Sequence, residues 1–114
     1  MNAPLHVSSS YFVENNTRYA FIDGNLCESI EECYTTLKQQ LSLPGYFGNN
    51  LDALEEVLDD LDWIQEEKIK IIVLNPSKLL AKSITIKDTF LELLNTCENE
   101  KLEIIYLDKE TNTK

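Results

Sequence analysis

The residues best placed to act on a partner are the carboxylates that follow Asn50. Asparagine is a good helix N-cap because its side-chain oxygen accepts a hydrogen bond from an unpaired amide of the first turn. No Lys or Arg occurs between Gln39 and Glu67, and like charges four residues apart each cost about 0.2–0.5 kcal/mol. Such a surface is typical of a solvated helix or of a site for a basic partner, and the missing cations favour the partner. We call the carboxylates on this side of the predicted helix the acidic face: Asp52, Glu55, Glu56, Asp59 and Asp60.

The loop before this helix contains two aromatic residues. Pro44 ends the preceding helix because its ring removes a backbone donor and clashes with the previous turn. Gly45 and Gly48 permit a sharp turn around the aromatic rings. We predict that Phe47 points into the core, whereas the pattern leaves Tyr46 equally able to point outward or inward.

An active site within this chain has little support in the sequence. The single histidine, His6, lies in a polar N-terminal segment, so a His-assisted nucleophile is not predicted. The remaining enzymatic alternative is a Mg²⁺-dependent hydrolase with Asp52, Glu56 and either Asp59 or Asp60 as oxygen ligands. One exposed helix face is a poor cage for a metal. We therefore predict no catalytic residues, no metal site and no cofactor.

Composition and charge narrow the class of partner. The chain has 114 residues, enough for one domain, and its net charge of −10 argues against nucleic acid and anionic membranes. No segment has the length and hydropathy of a membrane span or a signal peptide, which predicts a cytoplasmic protein. Three cysteines without a Cys-x-x-Cys pair predict neither a disulfide framework nor a zinc site.

The order of the predicted elements indicates an α/β fold. Apolar runs at 18–22, 69–74 and 102–107 predict strands, and 69–74 is expected to be covered on both faces. Helices are predicted after a capping box at Ser29, after Asn50, at 77–82, and after a cap at Thr85. The result is a three-stranded parallel sheet with about four helices packed on it. Residues 11–13 could form an added edge strand or belong to a loose extension.

Residues 43–54, LPGYFGNNLDAL, closely resemble the signature of the barstar family, small intracellular inhibitors of ribonucleases. The resemblance covers most of the chain, which divides into an extension (1–16), a barstar-like domain (17–108) and a polar tail (109–114). It implies a barstar-like fold and a 1:1 complex in which the loop and acidic helix occupy the phosphate-binding positions of a basic nuclease. The inhibitor is expected to be a monomer when free.

The resemblance also implies which residues face the nuclease. Glu56 stands where the founding member has its central aspartate, and Glu100 matches another enzyme-facing glutamate. Thr96 replaces an interfacial glutamate, while Glu55 and Leu61 replace aromatic residues, so the identity of the partner does not follow. An immunity or adaptor protein for a basic toxin that is not a ribonuclease remains the alternative. The predicted partner-binding residues are Tyr46, Phe47, Gly48, Asn50, Asp52, Glu55, Glu56, Asp59, Asp60 and Glu100.

Overall fold

The structure, a computed structural model, describes residues 11–45 and 47–107. The predictions for His6, for Tyr46 and for the C-terminal tail lie outside the described residues. Within them the chain forms four strands, three α-helices and one 3-10 turn. In chain order these are β1 (Phe12–Glu14), β2 (Thr17–Asp23), α1 (Ile30–Leu41), α2 (Leu51–Asp60), β3 (Lys68–Leu74), the 3-10 turn (Pro76–Lys78), α3 (Ile84–Thr96) and β4 (Leu102–Leu107).

The sheet is mixed and has the strand order β1-β2-β3-β4. The predicted parallel arrangement of β2, β3 and β4 is confirmed. Of the two alternatives left open for residues 11–13, the structure has the edge strand: β1 pairs antiparallel with β2, so the sheet has four strands. Asn15 and Asn16 join β1 to β2 with φ values of 55° and 58°. Two residues of positive φ match the right-handed twist of a hairpin, and asparagine tolerates that conformation better than most residues.

The helices differ from the prediction in number. The helix expected at 77–82 is reduced to the 3-10 turn, because Asn75 before it and Leu80 after it have positive φ values of 51° and 58°. The helix expected after Thr85 begins earlier, at Ile84, with Ser83 as its N-cap residue. The capping box at Ser29 is confirmed: its hydroxyl accepts from the Glu32 amide, and the Glu32 carboxylate accepts from the Ser29 amide.

All three helices lie on one face of the sheet. The parallel strands follow one another in chain order, so right-handed crossovers carry every helix to the same side. Alternate residues of β2 and β3 are buried beneath the helices, among them Ala20, Ile22 and Ile71. Ile72 and Leu74 on the other side are only partly buried. The prediction that residues 69–74 are covered on both faces is therefore wrong.

The cysteines belong to the packed interior on the helix side. Cys27 and Cys33 are buried and Cys97 is partly buried against the same core, with all three as free thiols. No helix among the described residues has the length and apolar character needed to cross a membrane.

Candidate functional site

The N-terminus of α2 is held by Asn50. Its Oδ1 accepts a hydrogen bond from the Ala53 amide at 2.8 Å, which confirms the predicted cap. Its Nδ2 donates to the Gly48 carbonyl at 3.1 Å and so ties the preceding loop to the helix. The Oδ1 and Nδ2 atoms of Asn50 therefore both help to fix the N-terminus of α2.

Helix α2 has a buried apolar side and an exposed acidic side. Leu54 and Leu58 are fully buried and Val57 nearly so, which fixes the rotation of the helix against the core. The acidic face consequently points to solvent, and all five of its residues are exposed. The ion pairs between described residues are Arg18–Glu66, Lys70–Glu103 and Lys82–Glu28, and none involves this face. The carboxylates of Asp52 and Glu56 therefore remain available to a partner.

The aromatic loop is anchored by Phe47. Its ring is buried, as the sequence predicted, and packs edge-on against Tyr34 with the centroids 5.8 Å apart. The Lys38 Nζ lies 5.9 Å from the centroid of the same ring. Phe47 therefore holds the loop to α1, and its contact with a partner stays a prediction. Gly48 next to it is exposed.

The C-terminus of α2 is capped by side chains from the segment that leads into β4. Asn99 Nδ2 donates to the carbonyls of Leu58 and Asp59 at 3.0 and 3.1 Å. Lys101 Nζ donates to the Leu61 carbonyl at 3.1 Å and also to the Ile64 carbonyl. These donors satisfy carbonyls that have no partner within the helix. Lys101 also places a cation where the helix dipole and the acidic residues are both negative.

Replacing Asn99 by Ala is expected to lower the free energy of unfolding by about 0.5–1.5 kcal/mol, because it removes the hydrogen bonds to the partly buried Leu58 carbonyl and the exposed Asp59 carbonyl. Urea unfolding measures the change, and Asn25→Ala, which removes an exposed asparagine elsewhere, is the control. Equal stability of the two variants would show that Asn99 does not support α2.

A groove between α2 and α3 adds one carboxylate that the sequence analysis missed. It has a volume of about 220 Å³, and Asp52, Glu55 and Thr96 are among its lining residues. Glu92 lines the same groove from α3, one turn before Thr96, whose Oγ1 donates to the Glu92 carbonyl at 2.8 Å. Glu92 lies four residues before Thr96, the position at which the resemblance expects a glutamate, and this spacing could have identified Glu92 from the sequence.

Glu100 lies beyond α3, which ends at Thr96, in the turn before β4. It is exposed and lines a shallow surface groove together with Glu66 and Glu67. The neighbouring Asn99 ties this turn to the C-terminal end of α2. The structure thus gives Glu100 a fixed position relative to α2, but on a different groove from Asp52.

Two carboxylates repel each other just past the exposed end of α2. The Asp62 carboxylate, through a side-chain hydrogen bond and its charge, raises the pKa of Asp60 above its ordinary value of 3.8. Folding therefore disfavours the ionised form of Asp60. This penalty is absent below the ordinary pKa and develops as pH rises through the raised pKa.

Asp62→Asn is accordingly expected to stabilise the protein at neutral pH, with a gain that disappears once the pH falls below the ordinary pKa of aspartate. Urea unfolding of both proteins across acid to neutral pH measures the difference. Asp88→Asn removes an exposed aspartate on α3 and serves as the control. A gain that persisted unchanged in acid would contradict a carboxylate–carboxylate origin.

The part of the chain that the structure describes contains no cluster of side chains that could bind a metal ion. No group of three or more His, Cys, Asp or Glu residues there is placed to hold a metal ion. The candidate ligands of the acidic face share one straight helix, so their carboxylates do not converge.

Comparison with known proteins adds two similarities. A sequence model of the barstar family, described as barstar (barnase inhibitor), matches residues 17–109. The protein named "Putative ribonuclease inhibitor YrdF" of Bacillus subtilis (strain 168) is 33% identical over 88 residues, which are 77% of this chain and 81% of the relative. The family match runs from the start of β2 through β4 and includes every predicted partner-binding residue.

Proposed function

This chain belongs to the barstar family, and from that premise we propose that it is an inhibitor that covers the active site of a basic ribonuclease with α2. The observation that carries the proposal is the acidic face, which is exposed and makes no ion pair with a described Lys or Arg. Carboxylates on a helix held at both ends can stand where RNA phosphates would bind. The names of the matching family and of the relative support a ribonuclease as the target.

The physical basis is charge complementarity with a cleft built to hold phosphates. Arg and Lys in such a cleft form short charge-assisted hydrogen bonds with carboxylates. The net charge of −10 also steers a basic partner toward the inhibitor and accelerates association at low ionic strength. Because α2 is already capped by Asn50 and Asn99, little ordering of the helix remains to oppose binding.

Individual residues take different roles in the proposed complex. Asp52 and Glu56 bind the cationic centre of the cleft, while Asn50 and Gly48 set the entry angle of α2. Tyr46 remains a predicted contact from the resemblance. Further carboxylates extend the negative surface toward the rim: Glu55, Asp59 and Asp60 on α2, Glu92 beside the groove, and Glu100 in the turn before β4. One nuclease binds each inhibitor in the cytoplasm of the producing cell.

The proposal is tested by RNA cleavage with and without this chain. The chain is used to capture basic proteins from its native host, and each captured protein is assayed for ribonuclease activity against increasing amounts of inhibitor. We expect activity to fall to zero at one inhibitor per nuclease. Capture of a basic toxin without ribonuclease activity would instead support the alternative of an immunity protein for another toxin class.

A further inference from the structure

Two of the three cysteines lie together in the core and take no part in the proposed inhibition. Cys27 belongs to the loop between β2 and α1, and Cys33 lies in the first turn and a half of α1. Both are free thiols, with Cys27 1% exposed and Cys33 fully buried. The third cysteine, Cys97, stands at the C-terminus of α3. A pair of buried thiols in contact is a candidate for chemistry of its own.

Hydrogen bonds of the backbone fix the position of both cysteines. The Cys33 amide donates to the carbonyl of the N-cap residue Ser29 at 3.1 Å, which is the first hydrogen bond of α1. The Cys27 carbonyl accepts from the Leu80 amide at 2.9 Å, and this bond holds the loop that leads into α1. The contact between the two thiols is therefore built into the start of α1.

The sulfur of Cys27 is met by two donors from α1. The Cys27 Sγ lies 3.3 Å from the Thr36 Oγ1, and Thr36 follows Cys33 by three residues, so both occupy the same side of α1. The Cys33 thiol forms a second side-chain hydrogen bond with Cys27. The hydrogen bond from Cys33, helped by Thr36, lowers the pKa of the Cys27 thiol, although burial and the charges of Glu32 and Asp23 oppose this effect.

The two sulfurs consequently have different reactivity. The same hydrogen bond, together with burial, raises the pKa of Cys33, which keeps its proton. Thiolates rather than thiols attack an oxidant, and the sulfenic acid that results condenses with a neighbouring thiol. The arrangement therefore places Cys27 as the sulfur that is oxidised first and Cys33 as the thiol that reacts with the product.

A surface groove lies beside this pair. It has a volume of about 280 Å³, and Leu26, Glu32 and Thr36 are among its lining residues. Leu26 precedes Cys27 and is 71% exposed, while Thr36 is half-buried. Thr36 thus contacts both the groove and the Cys27 sulfur. Hydrogen peroxide is little larger than water and is the kind of oxidant that such an entrance admits.

We propose that Cys27 and Cys33 form a site of reversible oxidation, at which a hydroperoxide converts the two thiols into one disulfide. The Cys27 thiolate attacks the O–O bond of hydrogen peroxide and becomes a sulfenic acid, while the displaced hydroxide takes up the proton that Cys27 released and leaves as water. The Cys33 sulfur then displaces the hydroxyl group, which leaves as a second water with the Cys33 proton. Two thiols are oxidised and one peroxide is reduced. An external dithiol reverses the reaction by exchange.

Mass spectrometry of the full, folded chain after treatment with hydrogen peroxide tests the site. The remaining thiols are blocked with iodoacetamide in urea, and the chain is cleaved after glutamate. This cleavage separates the two cysteines, because Glu28, Glu31 and Glu32 lie between them. We expect two of the three thiols to be lost together, a cross-link between Cys27 and Cys33, and recovery of both thiols with dithiothreitol. Three intact thiols under conditions that oxidise free glutathione would overturn the proposal, as would a cross-link between two chains.

Single substitutions separate the roles of the two sulfurs. In Cys33→Ser, and in parallel in Cys33→Ala, the sulfenic acid of Cys27 has no thiol to react with, so dimedone should trap it. In Cys27→Ser, Cys33 should give no dimedone adduct and the cross-link should be lost. Circular dichroism shows which variants are folded. An adduct on Cys33 in Cys27→Ser, or none on Cys27 in either folded Cys33 variant, contradicts the assigned roles.

The matched control is Cys97→Ser. The Cys97 Sγ donates to the Leu58 carbonyl at 3.6 Å, and burial raises the pKa of this thiol. The variant should therefore form the disulfide between Cys27 and Cys33 as the unchanged chain does. A cross-link that disappears in Cys97→Ser would overturn the proposal. The outcome is independent of the proposed inhibition, because neither Cys27 nor Cys33 belongs to α2 or to the predicted partner-binding residues.

Discussion

Replacing Asp52 by Asn and Glu56 by Gln together is expected to weaken binding to the cognate ribonuclease by at least about 100-fold. Each substitution removes a charge-assisted hydrogen bond of about 1.5–3 kcal/mol, and every 1.4 kcal/mol is about tenfold in affinity. Folding should be unchanged or slightly stabilised, because these residues lie four apart on α2 and repel each other. The loss should be greatest at low salt, where the charges are least screened. Calorimetry and stopped-flow association over a range of ionic strength measure both effects.

The control removes the same number of charges from the opposite side of the protein. Glu14→Gln combined with Glu103→Gln changes the side of the sheet opposite the helices and leaves α2 intact. If net charge alone governed binding, the two double variants would weaken it equally. Unchanged binding of the Asp52→Asn, Glu56→Gln variant at every ionic strength would remove the acidic face from the interface altogether.

Glu66→Ala is expected to act on stability rather than on binding, with a loss of about 3 kcal/mol in the free energy of unfolding. Its Oε1 accepts from Arg18 Nε at 2.9 Å, and the Arg18 side chain is only 7% exposed. Arg18 is enclosed further by the Tyr11 ring, with Cζ 3.5 Å from the ring centroid, and by a hydrogen bond to Ser42 at 3.2 Å. Removing the carboxylate leaves a buried cation without its counter-charge.

Urea unfolding measures this loss, and Glu67→Ala is the matched control because it truncates the adjacent, exposed glutamate. The folded Glu66→Ala protein should still bind the nuclease, since the acidic face on α2 is untouched. A variant as stable as Glu67→Ala would show that the Arg18–Glu66 pair contributes nothing net. The two glutamates are neighbours in sequence, so only their tertiary surroundings can produce a difference.

Together these predictions divide the eight carboxylates between Gln39 and Glu67 into two kinds. The sequence shows that this stretch contains no Lys or Arg. It does not show whether a cation from elsewhere in the chain pairs with these carboxylates. Arg18 reaches Glu66 from 48 residues away, and Lys101 reaches the Leu61 carbonyl from 40 residues away. The carboxylates of the acidic face pair with no described Lys or Arg, and this absence of a cation distinguishes the face as a binding surface.

Some features follow from short-range patterns alone. The cap at Asn50 and the burial of Leu54 and Leu58 depend on contacts within one or two turns, so spacing predicts them directly. The inward position of Phe47 follows equally from its place beside Pro44 and Gly48 in a tight loop. The outward direction of the acidic face is the consequence of these local choices.

Other features were decided only when distant segments met. Sequence spacing does not reveal that Asn99 supplies the C-terminal cap of α2, or that Glu92 lines a groove with Asp52. Nor does an apolar run at 69–74 show whether one or both of its faces are covered, because that depends on the direction of the crossovers. The order of the residues alone predicts which helix displays negative charge. Contacts between distant segments hold that helix in place, and the crossovers leave no described helix on the opposite side of the sheet.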